Sequence, residues 1–234
     1  MANLQFPTAQ EQKVASIWNS YQALTAEGSV YYASNPTPST GLLGTICVDD
    51  AATASSTHAQ FAPFLLLTNG WSSANPSAKT IYPLAIKVTT TVIPVNSTAW
   101  EATIRLDSVT SKYSSGGTAL SPLNANTNFG NTSGATIYGG AIIPTGVMST
   151  AGRLVMRHKL SNVIPIFGDT YTFSFGDYGM DTNMLEGGAT ARAITIPCAS
   201  ISVAPGWCMQ LDMFGAGSLT TAGQWEVEII YAER

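Results

Sequence analysis

From about residue 29 onward the chain is a series of short stretches in which apolar and small polar residues alternate. Yet only 10% of its 234 residues are charged. A typical soluble domain carries about 25%. The missing charge is replaced by Ser, Thr, Asn, Ala and Gly, not by an apolar run of membrane length. Period-two patterning confines a chain to sheets that bury one face. A surface so poor in charge suits a β-protein covered by copies of itself or by an assembly better than a freely diffusing enzyme.

Length and charge narrow the choice further. All-β folds often reach about 200–250 residues as one unit. A domain of this size buries roughly 70% of its unfolded surface and needs no metal or disulfide staple. The net charge is -4 and no run of Lys or Arg occurs. Phosphate neutralisation needs clustered cations, so nucleic acid is not an expected partner. Cys47, Cys198 and Cys208 are odd in number and form no C-x-x-C pair, and they read as small buried apolar side chains. The N-terminus lacks the cationic and apolar regions of a secretory signal. The longest apolar stretch, Phe61 to Leu67, is too short to span a bilayer. The expectation is a soluble protein made in a cytoplasm, with no membrane partner.

Two regions are expected, a helical arm over 1–28 and a single β-sandwich domain over 29–234. Thr8-Ala9-Gln10-Glu11 has the form of a capping box. Val14, Ile17, Trp18, Tyr21 and Leu24 follow at helical spacing, and Gly28 stands where a C-cap glycine belongs. The pattern predicts a helix over about 9–26. Its apolar stripe packs on the parent domain or reaches a neighbouring subunit, with Trp18 and Tyr21 as anchors.

Strands are predicted near 42–48, 60–68, 86–92, 100–107, 135–144, 153–160, 170–174, 192–202, 207–214 and 224–231. The 86–92 and 100–107 runs, joined by 93–99, read as an antiparallel pair. Within the second, Ala102, Ile104 and Leu106 point inward. Arg105 and Asp107 fall on the opposite face, free to pair across strands or subunits. Phe167-Gly168-Asp169 and Phe175-Gly176-Asp177 read as turns bracketing one strand. Residues 111–134 read as a long polar loop, and such loops usually serve function or lie against a partner. The fold class is therefore all-β: an antiparallel, jelly-roll-like β-sandwich with one N-terminal α-helix.

Chemistry is sparse. His58 stands in a small-residue loop. His158 shares a predicted face with Leu154, Met156 and Leu160 and reads as a core or interface histidine. Asp177, Asp181 and Glu186 lie in one Gly- and Met-rich loop, and Asp49-Asp50 forms another acidic pair. Neither matches a calcium-loop spacing, and solvated carboxylates are the commoner reading. Gly215-Ala216-Gly217-Ser218 reads as a hairpin turn between the strands at Trp207 and Trp225. No nucleophile elbow, P-loop or H-E-x-x-H motif occurs. The expectation is no catalytic residue, no cofactor and no metal. Trp100 and Trp225 fall in phase with apolar faces, whereas Trp71 looks loop-borne and is a candidate partner contact.

Trp100 to Asn126 carries a more specific signal. A strand ending in Arg105-Leu106-Asp107 runs into Tyr113-Ser114-Ser115-Gly116-Gly117-Thr118, then Leu120-Ser121-Pro122 and an Asn-rich loop. This stretch, extending over about 99–143, resembles the decoration, or cement, proteins on the heads of tailed bacteriophages. The resemblance implies a non-enzymatic jelly-roll domain, often a homotrimer, that binds the major capsid protein on the virion surface. Candidate interface residues are then Trp18, Tyr21, Trp71, Arg105, Asp107 and Tyr113. The alternative is a trimeric head-spike or fibre domain that binds a host glycan or receptor. A genome-enclosing coat protein commonly carries a basic arm, yet Lys13 is the only cation before Lys79. A glycoside hydrolase needs two facing carboxylates, which no spacing here places together.

Overall fold

The computed structural model describes residues 20–44, 63–75, 77–94, 99–108, 112–145, 152–161, 165–176, 191–216 and 223–234. Among them stand one short helix, α1 (Ser20–Ala26), and thirteen strands. The helix ends in a Schellman motif: the Ser29 N–H reaches the Leu24 carbonyl at 3.0 Å and the Gly28 N–H reaches Thr25 at 2.9 Å. Gly28 takes φ +67°, the left-handed conformation this cap requires. Most of the expected helix over 9–26, with Trp18, lies outside the described residues, and Tyr21 falls within α1.

The strands form two sheets. The seven-stranded sheet has the order β11 (Ala193–Cys198), β10 (Thr170–Phe175), β4 (Ile81–Val92), β13 (Gln224–Glu233), β1 (Val30–Ser34) and β7 (Leu123–Asn124). The short β2 (Leu42–Leu43) also pairs with β13. The six-stranded sheet has the order β6 (Tyr113–Leu120), β8 (Ala135–Pro144), β3 (Leu65–Asn69), β12 (Cys208–Ala216), β5 (Ala99–Asp107) and β9 (Arg153–Ser161). All pairings are antiparallel except β10 with β11.

The pairing order is that of a rolled hairpin. β3, β4 and β5 pair in reverse sequence with β12, β10 and β9. The middle pair lies in one sheet and the outer two in the other, so the ribbon wraps around a single core, as in a jelly roll. The all-β sandwich expected from the alternation is the observed fold.

Alternation explains why these segments are strands. On β13, Trp225, Val227, Ile229 and Tyr231 are at most 2% exposed, while the residues between them are half-exposed. They meet Tyr171, Phe173 and Phe175 of β10, and Leu65, Leu67, Ile104, Met209 and Leu211 of the facing sheet. Tyr31 stacks on Tyr231 with ring centroids 5.7 Å apart, and Phe64 meets Trp225 edge-on at 5.7 Å. The two Phe-Gly-Asp turns bracket β10 as expected, with Gly168 and Gly176 at φ +85° and +84°. Asp177 lies outside the described residues.

Four expectations are corrected. β4 and β5 do not pair with each other: the 93–99 connection carries the chain from one sheet to the other. The β12 and β13 strands likewise belong to different sheets, so the glycine-rich segment between them joins no hairpin. The stretch 111–134 is not a continuous loop, since it contains β6 and β7. His158 is exposed in the chain, which removes the core half of the core-or-interface reading. Earlier in the strand β9 bulges: Ile104 pairs with Met156 and Arg105 with Leu154, leaving Val155 extra. Val155 and Met156 both pack on the core, which throws Leu154 out to 38% exposure.

Candidate functional site

Most of the described cations are paired within the chain. Lys87, Arg105, Lys112, Arg157, Arg192 and Arg234, six of the chain's ten Lys and Arg residues, stand in ion pairs among the described residues. The innermost pair is on the outer face of the six-stranded sheet. Arg105 donates from Nε and Nη2 to the two carboxylate oxygens of Asp212, each at 2.8 Å. Its Nη2 also reaches Gln210 at 3.1 Å, and the Thr103 hydroxyl donates to Asp212 at 3.2 Å. Asp107 pairs with Lys112 at 2.8 Å. Arg105 and Asp107, expected on an outward face, are 2% and 0% exposed. Arg105 pairs across strands with Asp212 and Asp107 pairs with Lys112 just before β6, so both are satisfied within the chain.

A third pair organises the first Phe-Gly-Asp turn. Asp169 accepts from the Arg192 guanidinium at 2.5 Å, from the Arg192 N–H at 2.8 Å and from the Ile166 N–H at 3.0 Å. Burial opposes the Asp169 charge, but these hydrogen bonds and the Arg192 cation hold its carboxyl below the ordinary 3.8. Burial pushes the Cys198 and Cys208 thiols up to about 11, as fits free buried side chains. Cys47 lies outside the described residues. Among the described residues no three His, Cys, Asp or Glu side chains converge to hold a metal, and no helix is long and apolar enough to cross a membrane. His58, Asp49, Asp50, Asp181 and Glu186 lie outside them.

The remaining candidate feature is a groove of about 570 Å³ beside β1 and β7, at the edge of the seven-stranded sheet. Tyr32 and Leu123 are register partners there, 39% and 53% exposed. Tyr31 turns into the core, so its neighbour Tyr32 must turn out. The far wall is the loop over 125–134, with Phe129 41% exposed.

That loop is shaped before anything binds. Asn124 and Asn126 each accept, at Oδ1, the N–H two residues on, at 2.8 and 3.0 Å, forming successive Asx turns. Their amides donate in turn to the Gly28 carbonyl at 2.9 Å and to Thr25 at 3.1 Å, satisfying carbonyls at the end of α1. Phe129 rests on Gly28, where a Cβ would lie 2.5 Å from its ring. At the other end Glu233, 1% exposed, accepts from the Ser133 hydroxyl and from the Gly134 N–H at 3.0 Å. Ser133 also meets the Tyr231 hydroxyl at 2.7 Å.

Trp71 and Tyr113 are half-buried and make contacts within the chain. Trp71 is half-buried against Gly134, where a Cβ would collide with the indole. Tyr113 stacks on Tyr138 at 3.8 Å and donates to the Gly116 carbonyl at 3.0 Å. Trp18 and the Tyr21 side chain lie outside the described residues. Tyr32, Leu123 and Phe129, which line the groove, are not among the residues singled out from the sequence. Their signal was available: a Tyr-Tyr pair in a strand that buries one face, and lone apolar residues in an Asn-rich loop. The fold and this groove define an all-β sandwich protein with an uncharged surface site. No family model, no curated protein and no solved structure matches the chain.

Proposed function

We propose that this is a structural protein of a bacteriophage head, binding and stabilising the outside of the capsid as a decoration protein. It acts as an oligomer, with the trimer as the expected form, and carries no catalytic centre. The observation that carries the reading is a chain with only 10% charged residues, whose place is taken by small polar ones. Most described cations are consumed in intrachain pairs, three of those pairs joined to fully buried carboxylates. A protein that adheres through many repeated contacts needs no single strong charged one, since symmetry multiplies weak contacts. The resemblance over 99–143 supports the same reading, and these residues supply β5 to β8 of the rolled sandwich.

The test is capsid stability. Phage capsids stripped of their decoration are challenged by heat with and without the purified protein. Added protein is expected to raise the rupture temperature, saturating at a fixed molar ratio to the major capsid protein. No change in rupture temperature at saturating protein rules out stabilisation of those capsids.

A further inference from the structure

We propose that the groove between Tyr32 and Phe129 binds a neutral oligosaccharide. This site is independent of capsid attachment, and the reading rests on three observations. First, among the described residues no acidic or basic side chain lines the groove, although Lys87, Glu226 and Glu228 line a smaller pocket on the same sheet. An uncharged lining disfavours nucleic acid, sulfated glycans and acidic peptides alike, because none of their charges would find a counter-charge.

Second, the apolar surfaces are aromatic and partly open. Phe129 is backed by Gly28 and Tyr32 by its own sheet; the two residues are 41% and 39% exposed and both line the groove. Rings backed on one side and open on the other give flat platforms for the C–H faces of sugar rings, at low entropy cost. Third, polar groups remain to be used. Thr127, Asn131 and Thr132 are exposed and line the groove, and their side chains make no hydrogen bond among the described residues. An amide and two hydroxyls can donate to and accept from sugar hydroxyls. The volume of about 570 Å³ falls in the usual range for small-ligand sites. The anchored loop means little ordering is lost on binding.

The test uses the full-length protein against immobilised mannan, dextran and laminarin, with heparin as the charged control, in 50 and 500 mM salt. Saturable binding to at least one neutral glycan, insensitive to salt, is expected. Tyr32→Ala and Phe129→Ala should each weaken it by about tenfold, the scale of one lost ring stack. Tyr82→Ala, removing an exposed tyrosine elsewhere, should leave it unchanged. Thermal melts identify any variant that loses its fold, and Asn131→Ala provides a second groove variant less able to disturb packing. Three outcomes overturn the proposal: no binding to any neutral glycan, binding to heparin alone that fades with salt, or neutral-glycan binding untouched by all three groove substitutions.

Discussion

On the outer face of the six-stranded sheet, the Arg105 and Asp212 side chains meet at 2.8 Å with 3% and 0% of their surface exposed. On the outer face of the seven-stranded sheet, Lys87 and Glu228 stand 4.0 Å apart with 52% and 43% exposed. Both pairs cross neighbouring strands, yet their physical roles differ. The buried pair has surrendered its hydration and depends on complete hydrogen bonding, supplied by Gln210 and Thr103. It is costly to break and ties β5 to β12 in one register. The exposed pair sits in high dielectric, where attraction and side-chain entropy nearly cancel. Low charge content therefore does not mean weak electrostatics: three of the six ion pairs use fully buried carboxylates and fix structure, while the exposed pairs contribute little.

The largest expected effect breaks the buried pair. Arg105→Met alone leaves Asp212 as an uncompensated buried charge and should cost about 3–5 kcal/mol in chemical denaturation. Arg105→Met with Asp212→Leu should recover much of that loss. If the single variant is as stable as the wild type, the pair is not the register lock described.

Next comes the loop anchor at Gly28. Gly28→Ala must hold a side chain at φ +67° against Phe129, a strain of about 1–3 kcal/mol. Denaturation should show that loss, and hydrogen exchange should rise over 122–134. A change confined to α1 would mean that the loop does not lean on the helix end.

Asp169 gives a pH-dependent effect. Its folded pKa lies below the unfolded 3.8, so the stability it contributes is fully present above that value. It is lost as pH falls from about 4 through the lower folded pKa. The stability difference between wild type and Asp169→Asn should therefore shrink below pH 4, as read by denaturation at stepped pH. The smallest effect is Lys87→Ala, expected to change stability by less than about 1 kcal/mol.

Much of the fold was legible because burial of one face writes alternation into the sequence. Trp225, Val227, Ile229 and Tyr231 show this, as do Tyr171, Phe173 and Phe175. Reading failed where both faces or neither is buried. β5 is closed on both sides, so the alternation of Arg105 and Asp107 with apolar residues looked like an exposed face. β6, Tyr-Ser-Ser-Gly-Gly-Thr-Ala-Leu, is exposed over most of its length and held by pairing to β8, so it carries no apolar signature. A six-residue connection looks the same whether it closes a hairpin or crosses between sheets, which hid the separation of β4 and β5. The groove was invisible because Tyr32 and Phe129, nearly a hundred positions apart in sequence, meet only through the pairing of β1 with β7. The role of Asn124 and Asn126 in ending α1 is equally non-local.

The most direct measurement of the proposed role is co-sedimentation of the purified protein with phage capsids stripped of their decoration, its solution mass read by light scattering. A decoration protein of this kind should be an oligomer that saturates the capsid at a fixed ratio to the major capsid protein, in high and low salt alike. A protein that stays in the supernatant at every concentration would contradict it.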